Sequence, residues 1–226
     1  MTGLILNERE IVIPGDKIAS GMDYLPGNGA FREEEDIYSL QLGLVSLNGR
    51  FVKVIPLTGK YFPKEGDIVI GRVSDVGFGM WMIDIGCAYS AILNMRETPE
   101  FIDKGADLSH YYDFNDVIIA EVTKVVRYKD VSLTMKGQGL RKINGGKIID
   151  ITPSKVPRVI GKQGSMINMI KEGTGCNIVV GQNGKVWIKG DKVEDEVKAT
   201  EVILKIEHES HTQGLTDTIK KMLEGN

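Results

Sequence analysis

The residues best placed to do chemistry form one run, Val159-Ile160-Gly161-Lys162-Gln163-Gly164-Ser165-Met166-Ile167. A bare Gly-x-x-Gly says little in a chain with 27 glycines. Here apolar residues flank the pair on both sides, so the glycines end one helical segment and open another. A turn of that kind exposes backbone N–H groups at a helix N-terminus, where anionic phosphates are favoured. Without side chains, Gly161 and Gly164 let another backbone approach closely. Lys162 adds a point charge inside the loop beside Gln163, and Lys155 and Arg158 precede it. The chemistry indicated is the holding of a phosphodiester backbone.

Other reactive side chains do not assemble. The histidines are His110, His208 and His211; the last two could share a helix side, but no carboxylate pair or third ligand joins them in a metal pattern. Ser154 and Ser165 lie near bases without a paired His and acid. Cys87 and Cys176 are too far apart in sequence for a CxxC zinc site and too few for a disulfide framework, and read as small buried apolar residues. The sequence therefore predicts no catalytic residue, no metal site and no cofactor.

Net charge first argues against a polyanion partner, being −3 over 226 residues. The charges are partitioned, however. Between Lys136 and Lys171 eight bases stand against Asp150 alone, while residues 65–135 and 191–226 are acidic. One basic block among acidic neighbours is a local nucleic-acid footprint. Hydrophobic residues at 42% and charged residues at 26% fit a globular chain. The first 13 residues lack a secretory apolar run and no stretch reaches ~18 apolar residues, so the expectation is a soluble, cytoplasmic protein.

The positioning elements read as β-rich. Residues 1–62 show short strands at 11–13, 37–45 and 51–56, punctuated by Pro14-Gly15-Asp16 and Pro26-Gly27-Asn28-Gly29, as in a small β domain. Glu33, Glu34, Glu35 and Asp36 form an acidic run, either a solvated turn or a dock for a basic partner. Residues 63–136 give five strands, at 68–73, 81–85, 90–93, 116–125 and 131–135, with a long irregular third connection, which suits an OB-fold barrel. Its first loop carries Phe78 and its last carries Arg127, Tyr128 and Lys129; in such barrels these loops flank the oligonucleotide face. Phe78 and Trp81 are either stacking platform or barrel core.

Residues 144–209 change character: strand 146–151, helix 153–158, the glycine loop, helix 165–172, strands 176–180 and 185–189, then a long helix. Asp191 is expected to cap that helix, with Val193, Val197, Ile203 and Leu204 on its buried face. Residues 210–226 form an amphipathic tail with Leu215, Ile219, Met222 and Leu223, expected to dock on its own chain.

Ile160 to Ile167 resembles the KH-domain loop, and strand-helix-GxxG-helix-strand-strand-helix is the eukaryotic-type KH order. The resemblance implies a clamp on about four nucleotides of single-stranded RNA, with Ile167 and Ile178 as groove walls. Gly66-Asp67-Ile68-Val69 through Trp81-Met82-Ile83-Asp84-Ile85-Gly86 resembles the S-one-type OB domain. With Ile13-Pro14-Gly15-Asp16, Gly27-Asn28-Gly29 and Ile37-Tyr38-Ser39, nearly the whole chain is similar to archaeal exosome RNA-binding cap subunits of the ribosomal-RNA-processing-protein-four type. That resemblance implies a non-catalytic subunit whose β domain grips a hexameric ring of RNase PH-like 3'-5' exoribonuclease subunits, three caps to a ring, with no membrane partner. The aromatic face usual in S-one domains is reduced here to Phe78 and Trp81. The alternative is a free antitermination-type factor, though such factors carry two KH units and this chain has one GxxG set between two helical segments.

Overall fold

The computed structural model describes residues 3–126, 130–210 and 214–224. The chain divides into two compact units, Met1–Gly59 and Lys60–Asn226.

The first unit is all β. Its strands are β1 (Gly3–Leu4), β2 (Ile11–Val12), β3 (Lys17–Ser20), β4 (Leu25–Pro26), β5 (Ala30–Glu33), β6 (Asp36–Ser39), β7 (Gly43–Asn48) and β8 (Phe51–Pro56). They form two four-stranded sheets, ordered β1-β3-β6-β5 and β2-β7-β8-β4. Period-two alternation along the strands sends Val12, Ile18, Ile37, Val45, Val52 and Val54 into one core. The single strand expected at 37–45 is two, because the Ser39 hydroxyl donates to the Gln41 carbonyl at 2.7 Å and turns the chain there. The acidic run caps the β5–β6 hairpin, where Glu34 takes a φ of 54°. Asp36 ends that run in an ion pair with Lys17 at 2.6 Å, and this pairing holds the Asp36 carboxyl below the usual carboxylate range.

The second unit opens with the barrel. Strands β9 (Ile68–Gly77), β10 (Met80–Asp84), β11 (Ala91–Asn94), β12 (Val117–Val125) and β13 (Val131–Thr134) pair so that β13 meets both β11 and β12 and closes the ring. A sixth strand, β14 (Arg141–Ile143), pairs with the first half of β12. This strand was not foreseen; three residues held by a distant partner leave little pattern. The irregular connection after β11 seals one end with Leu108 and Tyr112, both nearly buried. Trp81 is wholly buried, its indole Nε1–H donating to the Tyr112 carbonyl at 2.8 Å and its ring edge-on to Tyr112 at 5.1 Å.

After the barrel come β15 (Lys147–Asp150), α1 (Val156–Ile160), α2 (Ser165–Thr174), β16 (Asn177–Val180), β17 (Lys185–Lys189), α3 (Val193–His208) and α4 (Leu215–Glu224). The sheet order is β15-β17-β16. Both of its faces are covered, which explains the near-continuous apolar strands. Ile149, Val186, Ile188 and Ile178 face the helices, whereas Ile148, Trp187 and Val179 pack against the barrel core. The turn between β16 and β17 plugs into the barrel: Asn183 Nδ2 donates to the carbonyls of Ile70 at 2.7 Å and Ile85 at 2.9 Å, and its Oδ1 accepts from Ile70 N–H at 3.3 Å. Gln182 N–H adds a bond to the Ile68 carbonyl at 2.8 Å.

Two details of α3 correct the sequence reading. Its N-cap is Lys192, with no side-chain cap bond, and not Asp191. Its buried face is Ala199, Thr200, Val202, Ile203 and Ile206, while Val193, Val197 and Leu204 are exposed, because the sheet and α2 contact the other apolar stripe. The tail does dock on its own chain: Leu215, Ile219 and Leu223 join the core beneath α2 and α3, and Lys198 Nζ donates to the Leu223 carbonyl at 2.8 Å.

Candidate nucleic-acid interface

The glycine loop is built by the elements on either side. Val156 and Val159 bury one side of α1, and Met166, Ile167 and Ile170 fix α2 in the same core. Between them Gly161 takes φ 75°, ψ 174°, a region essentially closed to other residues. Gln163 (φ 54°, ψ 30°) and Gly164 (φ 79°, ψ 8°) are left-handed, and the loop is pinned by Gly161 N–H to Pro157 O at 3.0 Å and Gly164 N–H to Gly161 O at 3.3 Å. No side chain caps the N-terminus of α2. Its first-turn amides and helix dipole therefore face the loop, the arrangement that favours an anion.

The structure brings most of the predicted loop residues to this place. Lys162, Gln163 and Arg158 are exposed and Lys155 is half-buried. Two expected groove walls end up elsewhere. Ile178 is 1% exposed and Ile167 9%; both lie in the core between sheet and helices. Ile178 sits on the helix-facing side of β16, opposite Ile188, so it offers no surface to a base. The half-buried apolar residues at the rim of that core are Ile160, Met169, Val180 and Met222.

On the barrel, Trp81 is core and therefore packing, whereas Phe78 is 95% exposed at the tip of the β9–β10 turn and lies outside the core. The outward face of β10 and β11 carries Met80 opposite Asn94 and Met82 opposite Ile92. These methionines were missed, although the alternation of exposed 80 and 82 with buried 81 and 83 was available in the sequence. Arg127, Tyr128 and Lys129 lie outside the described residues. Asp150, within the basic block, is paired with Lys185 at 2.9 Å, and Asp116 with Lys142 of the block. Among the described residues no group of three His, Cys, Asp or Glu side chains stands together as a metal site.

Comparison with known proteins decides the family. Residues 9–58 match the model of the exosome RNA-binding protein RRP4 N-terminal domain, residues 60–124 that of the RRP4 S1 domain, and residues 146–194 that of a KH domain. The exosome complex component Rrp4 of Methanothermus fervidus is 48% identical, covering 97% of this chain and 97% of its own. The chain belongs to the Rrp4 family.

Another family member, Rrp4 of Pyrococcus furiosus, is 48% identical over 99% of this chain and 86% of its own length. Rrp4 of Methanothermobacter thermautotrophicus is 46% identical over 98% of this chain and 70% of its own. A crystal structure of a candidate exosome complex RNA-binding protein superposes with a TM-score of 0.66 at 35% identity, covering 74% of this chain and 96% of that one. The β domain, closed barrel and KH region thus follow the order of the Rrp4 domains, and the glycine loop falls within the matched KH segment.

Proposed function

We propose that this chain captures single-stranded RNA by its backbone and feeds it to the pore of a separate ring of RNase PH-like 3'-5' exoribonuclease subunits, three such caps to a hexameric ring, with cleavage left to the ring. The observation that carries this reading is the Gly161–Gly164 loop, with its uncapped helix N-terminus and flanking cations. Family membership supports the assembly, since the relatives are named as exosome complex components.

The first unit offers a surface for a protein partner. On the face of its sheet opposite the core, Ile11, Leu44 and Ile55 stand in one cross-strand row, Leu42 and Leu57 pair just beyond it, and Ile13 follows β2. Ile11 is 63%, Ile13 57% and Ile55 53% exposed. Contiguous exposed apolar side chains of this kind mark protein interfaces, and a ring subunit is the occupant this reading assigns. Co-expression with the ring subunits tests it. Ile55→Glu should abolish recovery of the chain with the ring while leaving its RNA affinity intact, and the purified chain alone should not shorten RNA in magnesium and phosphate. Turnover by the isolated chain, or undiminished assembly of Ile55→Glu, would overturn the corresponding half of the proposal.

A further inference from the structure

Beside the barrel lies a cleft of about 990 Å³ that neither the glycine loop nor the apolar face of the first unit involves. Its floor is the 3₁₀ turn Met95–Glu97, capped by Asn94, whose side chain accepts from Arg96 N–H. Thr98, 2% exposed, places its hydroxyl 2.9 Å from the Met95 carbonyl and 3.0 Å from the Glu100 carbonyl. That folds the following residues into a shelf, and Ile102, 5% exposed, anchors the shelf in the barrel core. The neighbouring Phe101 consequently points its ring away from the core and is 89% exposed. Lys136 reaches the same cleft because Met135 N–H donates to the Glu97 carbonyl at 2.8 Å. Arg96 and Lys104 complete a set of three cations around one bare aromatic ring.

The geometry points to a nucleotide subsite: Phe101 stacks one base of a single-stranded RNA, and Arg96, Lys104 and Lys136 hold the adjoining phosphates. A bare ring interleaved with cations is the pattern single-stranded nucleic acid selects, since every base has a π-face and every linkage a charge. Glu100 and Asp103 also line the cleft; they accept hydrogen bonds, and the exocyclic amino groups of bases donate them, so the lining suits a base with its phosphate better than a phosphate alone. Position supports the same occupant. Met95 N–H donates to the Gly79 carbonyl at 3.0 Å, so the cleft opens next to the turn that presents Phe78, and a strand crossing β10 and β11 would run on into it.

This inference rests on the chain being an RNA binder, and the test separates the two. Fluorescence anisotropy of the full chain is measured with labelled oligoadenylates of about four and about twelve nucleotides, the shorter one filling only a KH groove. Phe101→Ala should weaken the longer RNA about five- to tenfold and leave the shorter one unchanged, and Phe101→Tyr should restore binding. Because the ring is exposed, the unfolding temperature should not move. An oligonucleotide bearing 5-iodouridine should crosslink to Phe101 on irradiation. If Phe101→Ala binds the longer RNA as wild type does while Gly164→Asp still weakens it, the subsite is overturned and the KH reading stands. Failure of the wild-type chain to bind either RNA would overturn both. If Phe101→Ala instead loses only its association with the ring subunits, the cleft is a protein contact and the subsite is likewise overturned.

Discussion

A methyl group added at Gly161 would lie 2.7 Å from both Cβ and the backbone nitrogen of Met166, whereas at Gly164 its nearest neighbour is the Asn168 amide at 3.7 Å. The two glycines of one motif therefore answer substitution differently. Gly161→Ala has to move the start of α2 and force alanine into a conformation only glycine adopts readily, a loss of about 3 kcal/mol or more. Gly164→Asp meets no clash; it costs about 1 kcal/mol for the left-handed backbone and sets a carboxylate at the helix tip where a phosphate would approach. Thermal unfolding with RNA titration on both variants checks this: Gly164→Asp should stay folded and bind RNA at least about tenfold more weakly, and Gly161→Ala should lower the melting temperature by many degrees. Equal RNA affinity for Gly164→Asp and wild type at low salt would remove the loop from the site. The loop was legible in the sequence because glycine pairs flanked by apolar residues leave the chain few alternatives. Ile178 was not, since the strand alternation shows that one face is apolar without showing whether helices or ligand cover it.

Among the elements, the β16–β17 turn holds more than its own hairpin. Asn183 satisfies two carbonyls and an N–H of the barrel at once in a place where it is itself 7% exposed. Asn183→Ala would leave those three backbone groups without their partner, at a cost of about 2–4 kcal/mol. Asn183→Asp should be no better than alanine, because it sets an anion against the Ile70 and Ile85 carbonyls; a purely space-filling role would leave it near wild type. Urea unfolding followed by the fluorescence of Trp81 in the barrel and Trp187 in the KH sheet checks this, with one shared transition expected in wild type and separated transitions in the variants. The elements were legible in proportion to their self-sufficiency. The five barrel strands and the β17 hairpin strand carry enough alternation to be read directly. The two-residue strands β1 and β4 exist only through distant partners, and α3 carries two apolar stripes between which only the packed sheet chooses.

At the scale of the whole chain, a net charge of −3 predicts repulsion of RNA at long range, and the basic block predicts attraction at short range. Screening decides between them: at physiological salt the Debye length is about 8 Å, so a phosphate at the glycine loop responds to Lys155, Arg158 and Lys162 and scarcely to the acids of the barrel or of α3. Those acids matter only in dilute buffer, where they slow the approach. Each phosphate neutralised on a single strand contributes about −0.7 to the slope of log affinity against log salt. With these three cations engaged at the KH loop the slope should be about −2, and Lys162→Ala should make it shallower by about 0.7 without changing which RNA sequences bind. A potassium chloride titration of wild type and Lys162→Ala against one oligoadenylate measures both slopes. A flat response would mean that bases, not phosphates, hold the strand, and the methionine face of β10 and β11 would then have to supply the binding that the loop does not.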